Sequence, residues 1–282
     1  MAGQACNRTA KPQEVAKLKD EARPQAVKPK EAPTPQTANL ANITLIEARE
    51  LLNENYFMDE TDITKIEEEI TKTRAGEKWL GLYVTEGGSS LIESKLTVKP
   101  LLDPKDNKQE IGKVISVDQP AKPVFLVAGA AMLKPGPATT IYQGGEAKGH
   151  ELLNTKDLAS IKPRRLKLGD QEYQLKVVVE KLRGGGGQAE PADEDFRSVR
   201  MALVFGKQTQ NVIEGSVELK NDIEVWWLLW AGDADGDGKL DLYYRSRSEE
   251  GGEHTSLYLS SPAKPGELLG YVADFTTIHG AR

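Results

Sequence analysis

The sequence predicts a mainly β protein, an antiparallel sandwich or barrel-like structure over residues 78–282, preceded by a disordered tail and two short helices. Two observations support this fold class. Apolar and polar side chains alternate with a period of two in several segments, as in strands with one buried face. Turn-forming breaks such as Gly87-Gly88 and Pro135-Gly136-Pro137 separate these segments. Many short strands joined by turns favour a sandwich or a barrel.

Residues 1–40 are predicted to be a disordered tether. After Cys6 the segment is rich in Lys, Glu, Ala, Pro and Gln and has almost no large apolar side chains. It cannot bury enough apolar surface to offset the entropy lost on ordering. The stretch Gly3-Gln4-Ala5-Cys6 before a polar tail is similar to the mature end of a bacterial lipoprotein, so a lipid anchor at Cys6 is one interpretation. A stray thiol is the other, and no signal peptide is visible in the chain.

Residues 41–77 are predicted to form two short amphipathic helices. For the first, Thr44 and Glu47 have the spacing of a capping box, and Leu45, Ala48, Leu51 and Leu52 would share one face. The second would begin at Asp62 and end near Gly76, with Ile63, Ile66 and Ile70 on one side.

From Trp79 onward the sequence predicts strands. The clearest alternation is in the segments around Tyr173–Val179, Val199–Phe205 and Leu269–Phe275. Less regular strands are expected at Trp79–Thr85, Leu91–Val98, Ile111–Val117 and Pro123–Val127. No fixed-period repeat is visible, which argues against a propeller or a solenoid. A sub-boundary near residue 145 would give two small β domains, and one larger domain is the alternative.

Composition excludes several classes of function. The 282 residues carry a formal net charge of −6, so no basic face for nucleic acid is expected. No apolar run approaches the length of a membrane-spanning helix. A single cysteine excludes an intrachain disulfide, and three scattered histidines give no recognisable zinc pattern.

The strongest chemical signal is the acidic segment 233–241, which holds four aspartates and two glycines in nine residues. Carboxylates this close repel one another unless a cation lies between them. The alternating spacing of Asp233, Asp235 and Asp237 directs them to one point, and Gly236 and Gly238 provide backbone angles that residues with a Cβ resist. A hard dication is the natural occupant, and Ca²⁺ fits best. The alternative is an acidic hairpin turn that binds nothing.

Strands are predicted on both sides of this segment, giving a hairpin over residues 223–246. An EF-hand would have flanking helices and a glutamate at the twelfth loop position, where this chain has Tyr244. The pattern Asp-x-Asp-x-Asp-Gly-x-Leu-Asp between strands resembles the calcium loops of integrin-type FG-GAP and VCBS-like repeats, here in a single copy. The resemblance implies calcium ligation by the carboxylates of Asp233, Asp235, Asp237 and Asp241 and by the Lys239 carbonyl. The C-terminal stretch is also similar to uncharacterised secreted bacterial β proteins.

We therefore expect a secreted or envelope-tethered calcium-binding β protein with a binding or structural role and an unidentified protein or glycan partner. The alternative is a calcium-dependent hydrolase acting on glycans or peptidoglycan, although the sequence has no convincing catalytic set. Trp226, Trp227 and Trp230 could stack on sugars if exposed, but their apolar surroundings favour the core. Glu253-His254 could form an acid–base pair, but surface polar residues are the simpler interpretation.

Overall fold

The computed structural model describes residues 43–48, 50–52, 78–106, 110–144, 150–154, 161–181, 196–218, 225–247 and 252–278. These stretches contain seventeen strands and no helix: β1 Thr44–Ile46, β2 Glu50–Leu52, β3 Trp79–Thr85, β4 Gly88–Ser94, β5 Leu96–Leu102, β6 Glu110–Val117, β7 Leu126–Ala128, β8 Gly136–Gln143, β9 His150–Asn154, β10 Arg164–Leu168, β11 Gln171–Lys181, β12 Phe196–Phe205, β13 Gln208–Glu218, β14 Val225–Asp233, β15 Asp241–Arg247, β16 Gly252–Leu259 and β17 Gly270–Ile278. The predicted mainly β class is confirmed.

The first predicted helix is wrong. Thr44–Ile46 and Glu50–Leu52 are strands, and β1 pairs with β7 in the register Leu45↔Val127. Leu45 and Ile46 are both buried, so this strand has apolar packing on both of its faces. A few residues of helix propensity are outweighed by ladder hydrogen bonds and burial that only a distant strand provides. The second predicted helix and the tether of residues 1–40 lie outside the described residues.

Ten strands form the main sheet, in which all pairs are antiparallel. Its order is β1-β7-β3-β4-β8-β14-β15-β16-β17, with β9 paired to the other half of β14. β1 lies against β17, so the sheet nearly closes on itself. The barrel-like alternative of the predicted fold class is therefore the observed one. Among the described residues, no helix qualifies as a membrane span.

Two smaller antiparallel sheets complete the fold, with the orders β10-β11-β12-β13 and β2-β6-β5. The alternation predicted for β11 and β12 is confirmed, because Tyr173, Leu175, Met201 and Leu203 are all buried. Tyr173 lies opposite Phe205, and Leu175 lies opposite Leu203, so apolar side chains of the two strands pair across the sheet. The strand predicted at Leu91–Val98 is two strands, β4 and β5, separated at Lys95.

Strand β14 lies between two apolar cores. Leu229 and Trp230 belong to the core inside the barrel-like sheet, whereas Leu228 and Ala231 belong to a second core that includes residues of the four-stranded sheet. This explains why the segment is apolar on both faces. All described residues belong to one compact unit. The possible sub-boundary near residue 145 falls among residues that are not described, and it stays a prediction.

Candidate metal centre

The acidic segment is a loop between two paired strands. β14 ends at Asp233 and β15 begins at Asp241, and the register places Gly232 opposite Asp241. Ala234 and Leu240, at the two ends of the loop, are buried and anchor it in the cores. The loop thus projects from a rigid hairpin, flanked by strands as predicted.

The structure brings three of the predicted site residues together. One carboxylate oxygen from each of Asp233, Asp235 and Asp237 lies within 4.8 Å of the other two. Asp233 is buried, Asp235 is half-buried and Asp237 is exposed, so the cluster has one wall inside the protein and one side open. Three like charges at this separation repel strongly near a protein surface, and a cation among them would remove that repulsion.

Backbone hydrogen bonds within the loop hold the cluster in shape. Asp233 Oδ1 accepts from the N–H of Gly236 at 2.7 Å, and its Oδ2 accepts from the N–H of Gly238 at 2.9 Å. Gly236 and Gly238 have φ values of 77° and 78°, in the left-handed region that residues with a Cβ avoid. The predicted role of the two glycines is confirmed.

Asp235 has an unsatisfied oxygen. Its Oδ1 accepts from the N–H of Asp237 at 3.2 Å, whereas its Oδ2 is buried and has no hydrogen-bond partner in the described structure. Burial raises the pKa of Asp235, and the negative charges of Asp237 and Asp233 raise it further, while hydrogen bonds from the Ser261 side chain and the N–H of Asp237 act in the opposite direction. A buried acceptor without a donor is costly, and a metal ion at this point would satisfy it. The donor atoms of the cluster are all carboxylate oxygens, which is the chemistry of a hard cation site.

Asp241 does not join the three-carboxylate group. It is fully buried, its Oδ2 accepts from the N–H of Ala234 at 2.7 Å, and its Oδ1 accepts from the N–H of Ser260 at 2.8 Å. Burial raises its pKa well above the ordinary value, as do the charges of Asp235 and Asp237, while the two N–H donors act in the opposite direction. Its predicted role as a ligand stays a prediction, and the contacts show that it ties both ends of the loop to the body of the protein.

Lys239 has a mostly exposed side chain. Its Nζ lies 3.6 Å from Asp237 Oδ2, and the side chain is 61% exposed, so this ion pair adds little stability. The role implied for Lys239 belongs to its main-chain carbonyl, and that role also stays a prediction.

Ser260 is a member of the site that sequence reasoning missed. Its hydroxyl lies 2.8 Å from Asp237 Oδ2 and 3.2 Å from Asp241 Oδ1, and its single proton can serve one of them at a time. Ser260 follows β16 and is 19 residues from Asp241 in the chain. No local pattern marks such a residue, because the contact exists only once β15 and β16 are paired.

The remaining sequence candidates do not form sites in the described structure. Glu253 and His254 are neighbours on β16 and therefore lie on opposite faces. Glu253 is buried near Arg245, whereas exposed His254 contacts Thr276, so the two do not form an acid–base pair. Trp226 and Trp230 are buried, which removes their indole rings from any sugar-stacking surface, and half-buried Trp227 packs against the core inside the barrel-like sheet.

We compared the chain with protein-family models, with curated proteins and with solved structures, and none of the three comparisons gave a match. The case for a metal site therefore rests on the geometry of the loop and on the chemistry of its side chains.

Proposed function

We propose that this protein is a secreted or envelope-tethered calcium-binding β protein, in which one Ca²⁺ ion is a structural part of a fold with a binding or structural task. The observation that carries the proposal is the convergence of Asp233, Asp235 and Asp237, with a buried and unpartnered oxygen on Asp235. Such an arrangement is costly without a cation and is satisfied by one.

Calcium suits these donors better than other common metals. The group has no nitrogen or sulfur, so it lacks the ligands that zinc and copper prefer. Magnesium requires near-ideal octahedral geometry and keeps most of its water, whereas calcium accepts the irregular arrangement of a curled loop. In the proposed site the Lys239 carbonyl adds a further oxygen. Asp241 holds the loop in place through its hydrogen bonds with the N–H groups of Ala234 and Ser260. Its carboxylate also has lone pairs that would allow it to bind the ion.

The position of the loop suggests what the ion does. The loop begins and ends in buried residues, and its strands contribute to both apolar cores. Repulsion among its carboxylates therefore acts directly on the hairpin that the two cores share. An ion that neutralises this repulsion stabilises the whole fold by mass action, by about 2.7 kcal/mol at a calcium concentration about 100 times the dissociation constant.

An extracellular or envelope location agrees with a site of this kind. Extracellular calcium modules have dissociation constants of about 0.1–1 mM, so their sites are occupied where calcium is abundant. The lipid anchor at Cys6 and the tether of residues 1–40 lie outside the described residues, and both stay predictions, as does the protein or glycan partner.

Calorimetric calcium titration and thermal melting of the full chain test the proposal. We expect one calcium ion to bind per chain and the melting temperature to rise by several degrees between EDTA and millimolar calcium, because the ion binds only the folded state. The Asp237→Ala variant should melt at the same temperature with and without calcium, since it loses one of the three converging carboxylates.

The matched control is Glu86→Gln, which removes a carboxylate from the exposed turn between β3 and β4. This variant should respond to calcium like the parent protein. Equal melting temperatures of the parent in EDTA and in calcium would remove the proposal. A calcium response that survives in Asp237→Ala would place the ion elsewhere.

A further inference from the structure

The part of the acidic loop that follows Asp237 lies against the turn between β10 and β11. Gln171, the first residue of β11, ends this turn. Its Nε2 donates to the carbonyl of Gly238 at 3.3 Å. The two residues are 67 positions apart in the chain, and the contact forms because the four-stranded sheet packs on the hairpin that carries the loop.

The Gly238–Lys239 peptide group connects this contact with a predicted ligand. Its carbonyl accepts from Gln171, and its N–H, which belongs to Lys239, donates to Asp237 Oδ1 at 2.8 Å. The carbonyl and the N–H of a planar trans peptide group point in opposite directions. The Gln171 side chain therefore fixes the orientation of the peptide group that holds the Asp237 carboxylate, the exposed member of the three-carboxylate group.

Tyr173 acts on the next peptide group of the loop. Its hydroxyl donates to Gln171 Oε1 and accepts from the N–H of Leu240. Because the Leu240 N–H points towards Tyr173, the Lys239 carbonyl of the same peptide group points away from it. That carbonyl is a predicted calcium ligand, so its direction is also set by a side chain of β11.

Tyr173 itself is held firmly. It is 3% exposed, and its ring is stacked on that of Phe205 with the ring centroids 4.6 Å apart. Burial raises the pKa of Tyr173, the hydrogen bond from the N–H of Leu240 acts in the opposite direction, and the charges of the loop carboxylates raise it further. The hydroxyl therefore stays protonated at neutral pH and remains a donor to Gln171.

We propose that Gln171 and Tyr173 are positioning residues of the candidate metal centre, which hold the Asp237 carboxylate and the Lys239 carbonyl in the orientation that binds the ion and so set the calcium affinity. The inference rests on the proposed calcium site and adds a control of that site by the four-stranded sheet. Residues that orient metal ligands through hydrogen bonds commonly tune metal affinity. Because coupling between two parts of a protein is reciprocal, the bound ion should in turn order the turn between β10 and β11.

Calorimetric calcium titration of the full chain tests the inference with Gln171→Met, a substitution that keeps the size of the side chain and removes its amide. We expect a dissociation constant about threefold higher than that of the parent, because one half-buried hydrogen bond is lost. The matched control is Gln174→Met on the same strand. Gln174 lies on the face opposite to Tyr173, so this variant should bind calcium like the parent.

Tyr173→Phe is the second variant. It keeps the ring that stacks on Phe205 but removes the acceptor of the Leu240 N–H. We expect it to raise the dissociation constant about threefold and also to lower the melting temperature in EDTA. A residue that served stability alone would lower that melting temperature and leave the dissociation constant unchanged, because the titration measures the folded protein.

The outcomes separate this inference from the calcium proposal on which it rests. If the parent binds calcium and folded Gln171→Met or Tyr173→Phe binds it with the dissociation constant of the parent, the inference is wrong and the calcium site stands. Equal weakening in Gln171→Met and Gln174→Met would also overturn the inference alone. If the parent does not bind calcium, the calcium site and the inference fail together.

Discussion

At the scale of single residues, four aspartates of identical chemistry have two different roles. Asp233, Asp235 and Asp237 bring carboxylate oxygens together at one point, whereas Asp241 lies outside that group and directs both oxygens at backbone N–H groups. Within the group one buried oxygen of Asp235 has no hydrogen-bond partner among the described residues, whereas both oxygens of Asp241 are satisfied within the protein. Substitution of one or the other kind of aspartate should therefore have different consequences.

The variant Asp241→Asn should destabilise the protein even without calcium. An asparagine offers one acceptor oxygen, so its amide nitrogen would face the N–H of Ala234 or of Ser260. We expect a loss of about 1–3 kcal/mol in the free energy of unfolding, measured by urea denaturation in EDTA. An Asp241→Asn protein as stable in EDTA as the parent would show that these contacts are not important for the fold.

The pH dependence of the calcium effect follows from the carboxylates of the loop. In the metal-free protein the pKa values of Asp235 and Asp241 are raised above 3.8, so the folded state binds protons more tightly than the unfolded chain. Their contribution to stability is present below the unfolded value and is lost as pH rises through the folded values. The proposed calcium ion requires the ionised forms and would compensate for this loss at neutral pH.

We therefore expect the rise in melting temperature caused by calcium to be largest near neutral pH and to shrink towards zero at about pH 4. Melting curves with calcium and with EDTA across this range measure the difference. A calcium effect of the same size at both ends of the range would contradict the assignment of the ion to these carboxylates.

At the scale of elements, the central strand β14 depends on close contact with β8. Gly232 lies opposite Thr140 in this pairing, and a Cβ at position 232 would lie 1.9 Å from the carbonyl oxygen of Thr139 and 2.6 Å from the ring of Trp230. These distances are far below van der Waals contact, and one of the atoms belongs to the backbone. The strand that carries Asp233 therefore has room only for a glycine at position 232.

The substitution Gly232→Ala should lower the free energy of unfolding by about 3 kcal/mol, because β14 and β8 must move apart. Gly87→Ala is the matched control, since the nearest atom to a Cβ at that position is 3.8 Å away. The control should change stability by about 0.5 kcal/mol or less. Urea denaturation of both variants gives the comparison, and equal effects would contradict the steric explanation.

At the scale of the whole molecule, the acidic loop connects separate parts of the fold. Ser260 joins it to the turn after β16, and Gln171 of the four-stranded sheet donates to the carbonyl of Gly238 at 3.3 Å. Gln210 of the same sheet binds the far end of that turn, accepting from the N–H groups of Leu268 and Leu269. If the loop becomes more ordered, the turn and the four-stranded sheet should therefore become more ordered as well.

Hydrogen exchange should report this connection. Calcium should slow exchange most at the N–H groups that bind loop carboxylates, namely those of Ala234, Gly236, Asp237, Gly238, Lys239 and Ser260. The hairpin of β3 and β4, which donates no hydrogen bond to a loop carboxylate in the described structure, serves as the internal reference. Equal slowing in that hairpin and in the loop would indicate a general stabilisation without local coupling.

Features set by neighbouring residues could be predicted from the sequence. The alternation in β11 and β12, the two-faced apolar character of β14 and the positive φ values of Gly236 and Gly238 all follow from local pattern or local backbone geometry. The convergence of Asp233, Asp235 and Asp237 is also a local feature, because a tight loop between paired strands directs its alternate side chains towards the same point.

Features set by distant partners were decided by the tertiary structure alone. Thr44–Ile46 is a strand because β7 supplies its partner, and Glu47 binds Arg245, which lies 198 residues away in the chain, instead of capping a helix. Ser260 joins the candidate metal centre in the same way, through the pairing of β15 with β16. Local sequence encodes the conformations that a segment can adopt, whereas burial and long-range hydrogen bonding select among them, and the partners that do so are invisible until the chain has folded.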